Sequence, residues 1–227
     1  EIGAHYGEDS RRFLDYFSDV KLICFEPDPR NSHIFKTYID DQRVTLYEEA
    51  LSNKVGMAPF YQSFQNSSSP IPDKYQWIDP TLYHKHQLHN SGASSLKKGY
   101  NHLLKNPIQV PTNRFDCWHQ SVNNPFIDLV WLDVQGAEKE VIEGMGNAIA
   151  SIHYIWMEYG ELDYDGALSR QATIDFMTNK GFSLAPFLSN RGLQGDALFY
   201  QTNIGLKRFY NRWGFWFLNL LALMKRH

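Results

Sequence analysis

The chain has 227 residues, 43% of them hydrophobic, 15% aromatic and 21% charged, with a formal net charge of -3. That balance can bury a core large enough to offset its ordering entropy, which excludes a globally disordered chain, and it offers no broad basic field, which excludes nonspecific nucleic-acid binding as the leading activity. Cys24 and Cys117 are the only cysteines, too few for a disulfide framework and lacking CxxC spacing for zinc or redox chemistry.

A reducing, cytoplasmic compartment is therefore expected, with one α/β domain over residues 1–203, an insertion at 63–111 and a tail at 204–227. No apolar run reaches the ~18 to 20 residues of a membrane helix, and the start lacks the regions of a signal peptide.

In chain order, Glu1-Ile2-Gly3-Ala4-His5-Tyr6-Gly7 reads as a glycine loop. Such a loop follows a buried strand, so further sequence is expected upstream of Glu1. Ser10 to Ser18 carries Phe13, Leu14 and Phe17 on one helical face, with Glu8 and Asp9 where the helix dipole favours negative charge. Lys21 to Phe25 reads as a strand closed by Glu26-Pro27-Asp28-Pro29, where the prolines are expected to end all pairing. A helix over Asn31 to Ile39, a strand over Val44 to Leu51 and another over Val55 to Tyr61 follow.

The stretch from Ser67 to about Pro111 lacks periodicity and is expected to be a long lid or substrate surface. His84-Lys85-His86-Gln87-Leu88-His89 invites a metal reading, but no cysteine or second histidine pair stands at a familiar spacing, so a substrate-touching loop is preferred. Ile127 to Val134, apolar except for Asp128, reads as a parallel strand buried on both faces. Gln135-Gly136 turns it into a helix bearing Ala137, Val141, Ile142 and Met145. Ile152 to Met157 is the next strand, Ser169 to Lys180 the next helix, and Phe182 to Leu188 with Ala197 to Gln201 a terminal antiparallel hairpin.

Alternating strands and helices imply a mostly parallel, doubly wound sheet. In such folds, glycines after the first strand let backbone approach a nucleotide, and ligands lie across the carboxyl ends of the strands. Gly3 and Gly7 are so placed. Glu1 separates the loop from a pyrophosphate-binding one, because a carboxylate there calls for a cationic ligand such as S-adenosylmethionine. Glu26 stands 19 residues after Gly7, near the ~20-residue interval at which a carboxylate meets ribose hydroxyls. Glu49, closing the third strand, could reach an adenine amino group. Asp133 and Glu158 end the fourth and fifth strands and are the acid/base candidates; they could alternatively hold a divalent cation. Glu138, in the first turn of the next helix, suits a dipole-stabilising role.

Taken together, Glu1 to Gly7, Phe25-Glu26-Pro27-Asp28-Pro29, Ala50-Leu51-Ser52, Ser94-Ser95-Leu96, Ile127 to Glu138 and Met157-Glu158 resemble the FkbM family of S-adenosylmethionine-dependent methyltransferases from Glu1 to about Phe199. The resemblance implies a class I, Rossmann-like, seven-stranded mostly parallel sheet and methylation of a hydroxyl on a sugar, glycan or polyketide-type metabolite. It implies cofactor contacts from Glu1, Gly3, Ala4, His5, Tyr6, Gly7, Ser10, Glu26, Glu49, Ala50 and Asp133. Two departures are Gln135, where the family usually has Glu, and Trp131, where it usually has Lys. If that Glu served a metal or base, the burden shifts to Asp133 and Glu158.

Rival expectations are a nicotinamide-dependent oxidoreductase, which needs a third loop glycine that is missing, and a non-catalytic cofactor-binding adaptor. The adaptor would work through the tail, where an apolar, aromatic segment flanked by basic residues suits self-association or a membrane surface.

Overall fold

The computed structural model describes residues 1–63, 70–99, 106–160, 164–185 and 194–204. The elements are α1 (Glu8–Tyr16), β1 (Leu22–Phe25), α2 (Pro29–Tyr38), β2 (Val44–Tyr47), β3 (Ala50–Leu51), β4 (Gly56–Phe60), α3 (Pro80–Lys85), β5 (Ile108–Asn113), α4 (Phe115–Ser121), β6 (Ile127–Leu132), α5 (Glu138–Gly144), β7 (Ile152–Gly160), α6 (Arg170–Asn179), β8 (Phe182–Leu184) and β9 (Gln194–Gln201). Among them no helix is long and apolar enough to cross a membrane. The 204–227 tail lies beyond the described residues after position 204, as does much of the expected hairpin turn.

Two ladders form the centre. β1 pairs parallel with β2, and β6, β7, β9 and β8 stand in that order, with β9 antiparallel to both neighbours. Ile2 makes parallel bridges to Phe25 on one side and Leu132 on the other, so it lies between β1 and β6. The expected single seven-stranded sheet is thus seen as a two-stranded and a four-stranded ladder meeting at one residue.

Side chains alternate along these strands, as the two-residue strand period requires. Val130 and Leu132 of β6, Ile155 and Met157 of β7 and Phe199 of β9 enter one core together with Trp118 of α4, Val141 and Ile142 of α5 and Met177 of α6. Trp131, Trp156 and Leu198 point the other way, into a core shared with Phe13 of α1 and Phe35 of α2. Both faces are covered by helices, the arrangement of an α/β fold.

Three local expectations need correction. Pro29 does not end pairing; it is the first residue of α2, where its missing N–H costs nothing, and Asp28 caps the helix by accepting from Arg30 N at 3.0 Å. The strand expected over Val44 to Leu51 breaks at Glu48-Glu49, and its second half, β3, leaves the central sheet to pair with β5. The insertion is not structureless among its described residues. β5 sits between β3 and β4 in a separate three-stranded sheet, and α3 with two short 3-10 turns builds a small core from Tyr6, Ile34, Ile78, Tyr83 and Leu88.

Leu132 is fully buried at the end of β6, whereas Phe126, just before that strand, is 80% exposed. Leu132→Ala is expected to cost about 2–5 kcal/mol of unfolding free energy and Phe126→Ala within about 0.5 kcal/mol. Urea denaturation of the two variants checks this.

Candidate active site

The chain order reverses at Ile2: β1 and β2 run out to one side of it, β6 and β7 to the other. Crevices at such switch points, beyond the carboxyl ends of the strands, are where doubly wound folds bind ligands. A cleft of about 1180 Å³ opens there, walled by the glycine loop, the ends of β1 and β6, and residues of the insertion.

Main-chain bonding fixes the loop. Ile2 N donates to Trp131 O at 2.8 Å and Asp133 N to Ile2 O at 3.0 Å, while Phe25 N donates to Glu1 O at 2.9 Å. Gly3 N and Ala4 N both donate to Phe25 O at 3.0 Å. Gly3 has φ +86°, and a Cβ on it would lie 1.7 Å from the Asp133 carbonyl oxygen, so no other residue fits while β6 stays this close. Gly7, at φ +84°, begins α1, and a Cβ there would meet Ile39 at 2.1 Å.

Of the residues singled out from the sequence, Glu1, Gly3, Ala4, His5, Glu26, Glu49, Ala50 and Asp133 line the cleft. Tyr6, Gly7, Ser10 and Glu158 stand behind its wall. Ser10 is fully buried and gives its hydroxyl proton to Glu1, whose carboxyl burial pushes up to about 8. Tyr6 turns into the insertion core, where its hydroxyl meets Leu88 O at 2.9 Å and Ser91 Oγ.

Glu26 accepts from His5 N and Asp28 N at 2.8 Å each and from Asn31 Nδ2 at 3.3 Å. Burial, then the neighbouring Asp28 charge, raises its carboxyl to about 7. Glu49 accepts from Asn113 Nδ2 of β5 at 3.2 Å.

His5 joins the loop to the insertion. Its Nδ1 faces Glu8 Oε1 at 2.8 Å and its Nε2 faces Ser91 Oγ at 2.9 Å. Burial alone would lower its pKa, but the charge and hydrogen bond of Glu8, with Glu26 behind them, raise it. Tyr75, Trp77 and Lys74, also from the insertion, line the far side of the cleft. Sequence alone marks this segment as a lid or substrate surface without marking Ser91, and it does not mark Asn31 of α2; neither carries a motif. The histidines in and just after α3 pair off instead of converging: His84 meets His89 at 3.5 Å, and His86 packs on His33.

Asp133, Glu138 and Glu158 bring ligand atoms within 4.8 Å of one another. Gln135 Nε2 donates to Asp133 Oδ1 at 2.7 Å and to Glu158 Oε2 at 2.9 Å, and Glu138 Oε1 accepts from Val134 N and Gly136 N at 3.2 Å each. An amide donor set between two carboxylates stands where a divalent cation would sit, and the third carboxylate already caps backbone N–H groups through one oxygen, so the arrangement is a poor match to such a cation. The cluster fits a proton-sharing pair instead. Glu158 is pushed up to about 10 by burial and by the charges of Asp133, Glu138 and Asp196. Asp133 is raised too, first by burial; the surface it exposes is cleft wall.

Residues 1–184 match the family model described as the methyltransferase FkbM domain. The chain belongs to the FkbM methyltransferase family. It is also 31% identical over 213 residues to the 2-O-methyltransferase NoeI of Sinorhizobium fredii (strain NBRC 101917 / NGR234), an overlap of 90% of this chain and 79% of that relative. No solved structure gives a significant match. This FkbM-family protein is therefore an enzyme that transfers methyl groups, with O-methyl transfer as the supported chemistry. The oxidoreductase and non-catalytic readings fall away.

The raised Glu158 carboxyl of this FkbM enzyme has a measurable consequence. Unfolded, Glu158 ionises near the ordinary glutamate value; folded, it keeps its proton to about 10. Between those limits the folded state binds the extra proton, so Glu158 makes stability fall as pH rises. Glu158→Gln, neutral at every pH, is expected to unfold at higher urea than the parent at pH 8, with the gap narrowing toward pH 4.5.

Proposed function

We propose that this enzyme transfers the methyl group of S-adenosylmethionine to a hydroxyl of a sugar, glycan or polyketide-type metabolite, on a class I sheet ordered β2, β1, Ile2, β6, β7, β9, β8. The observation that carries this reading is the acid-lined cleft at the switch point, where Glu26 and Asp133 follow the ends of β1 and β6 and Glu1 precedes the bridging Ile2. When bound, S-adenosylmethionine supplies a methyl group already activated by a cationic sulfur.

The chain's own residues then bind, orient and accept a proton. Glu26, with three protein donors placed, retains acceptor capacity for a ribose hydroxyl. Glu1 and its neighbouring acids favour a ligand bearing an ammonium and a sulfonium. Glu49 and Ala50 stand where β2 gives way to β3, on the side suited to the adenine. Asp133, open to the cleft, takes the proton that the acceptor hydroxyl loses.

Tyr75 and Trp77 offer aromatic wall for a sugar ring, and the 2-O-methyltransferase relative supports a ring hydroxyl as acceptor. The composition of the tail at 204–227 supports self-association, with a membrane surface as the alternative.

Titration calorimetry is expected to give binding heat for S-adenosylmethionine and its demethylated product, and Glu26→Ala is expected to weaken both by roughly 10- to 100-fold. No heat for either ligand with the parent protein would contradict the reading. An intact-mass screen of candidate sugars is expected to show gain of one methyl group, undiminished by chelator.

A further inference from the structure

We propose that Gln135, held in place by Tyr164, is a positioning residue that keeps one shared proton on the Asp133 and Glu158 pair and so leaves Asp133 as the charged base facing the acceptor hydroxyl. This rests on the reading of Asp133 as the base.

Geometry assigns the two carboxylates different duties. Asp133 and Gln135 line the cleft and Glu158 does not, so an acceptor reaches Asp133 first. With ligand atoms this close and Glu158 half-buried, the pair cannot readily hold two negative charges, and one proton is shared. Glu158 faces Asp133 from just past β6, Glu138 from α5 and Asp196 from β9, all acidic. Asp133 faces His5 and Glu8, with Asp9 and Tyr75 also within its electrostatic reach. Of these named groups His5 is the basic one, and it stands on Asp133's side. The proton therefore sits on Glu158, which donates to an ionised Asp133.

Gln135 enforces this arrangement. Its backbone has φ 54°, a left-handed conformation that a residue with a side chain seldom adopts without compensation. The compensation is visible: its carbonyl accepts from Ser95 Oγ at 2.7 Å, its amide nitrogen donates to both carboxylates, and its Oε1 accepts from Tyr164 OH at 3.0 Å. The Tyr164 hydroxyl also points at Ala93 O, 2.8 Å away. The amide orientation is set by the carboxylates: the NH2 group faces them and Oε1 faces Tyr164, whereas the opposite flip would set an oxygen against the Asp133 carboxylate.

The resulting step balances. The acceptor O–H bond breaks and its proton joins the Asp133 carboxylate. The freed oxygen pair forms the new O–CH3 bond, the C–S bond pair returns to sulfur, and the sulfonium charge is neutralised. Because Ala93 lies two residues after Ser91, which bonds His5, the same hydroxyl ties base orientation to docking of the insertion on the cofactor loop.

The test is a carboxyl-carbon NMR titration of the full chain as parent, Gln135→Met and Tyr164→Phe, with calorimetry of S-adenosylmethionine on each. In the parent, Asp133 and Glu158 are expected to titrate in two separate steps, Glu158 the higher. Gln135→Met, lacking the donor, is expected to raise the Asp133 step by about one pH unit, and Tyr164→Phe to raise it by less, with S-adenosylmethionine affinity unchanged in both. Unshifted steps in a folded Gln135→Met protein would overturn the proposal. If that variant does not fold, an unshifted Tyr164→Phe titration overturns it. Absence of cofactor heat in the parent would instead overturn the methyl-transfer reading, and with it the role of Asp133 as base, whatever the titration shows.

Discussion

The backbone from Glu1 to Gly3 bonds to the strands on both of its sides at once, through Ile2 to one and through its two neighbours to the other, and the rest of the site depends on that. Ile2 donates to Trp131 and accepts from Asp133 on the β6 side, while Glu1 and Gly3, its neighbours in the chain, bond to Phe25 on the β1 side. With both flanking strands engaged, the chain must leave the sheet abruptly, and Gly3 is the residue that lets it turn against the Asp133 carbonyl. The turn aims the loop across the ends of β1 and β6. Glu26 and Asp133, the first residues past those two strands, then face one cleft from either side of the loop.

The cost of this construction is electrostatic. Acidic side chains outnumber basic ones along the cleft wall, and burial raises Glu1 to about 8, Glu26 to about 7 and Asp9 to about 6. A site that holds carboxyls partly protonated near neutral pH is poised for a cationic, hydroxyl-bearing ligand, which offers them charge and donors that water no longer supplies. The same logic, applied among side chains, shapes the floor of the cleft. Asp133 and Glu158 relieve each other through a proton and an amide, which makes them a poor cage for a divalent ion.

Much of this was legible in the sequence because its signals are local. Ile127 to Leu132 announces a doubly buried strand by its apolar run, and Gly3, Glu26 and Asp133 follow from strand ends and spacing. What escaped depends on partners distant in the chain. Nothing in Val44 to Leu51 says that Ala50 and Leu51 would leave for β5, since the choice is made by Thr112 and Asn113 across the fold. β5 alternates buried and exposed positions, yet Pro111 hides it. The proline is tolerated because pairing with β3 begins only at Thr112. Tyr6 and Ser10 read as cofactor contacts from the loop, but their side chains are fully buried behind its wall. The pairing of Gln135 with Tyr164 joins residues 29 apart with no motif between them.

The central claim is that the Glu1 to Gly7 loop, suspended between β1 and β6, places a cationic nucleoside across Glu26 and beside Asp133. A crystal structure with S-adenosylhomocysteine tests it most directly. The account predicts ribose hydroxyls on the Glu26 carboxylate, the amino-acid end over Gly3 and the sulfur turned toward Asp133. A ligand seated elsewhere, or seated in the cleft with Glu26 untouched, would contradict it.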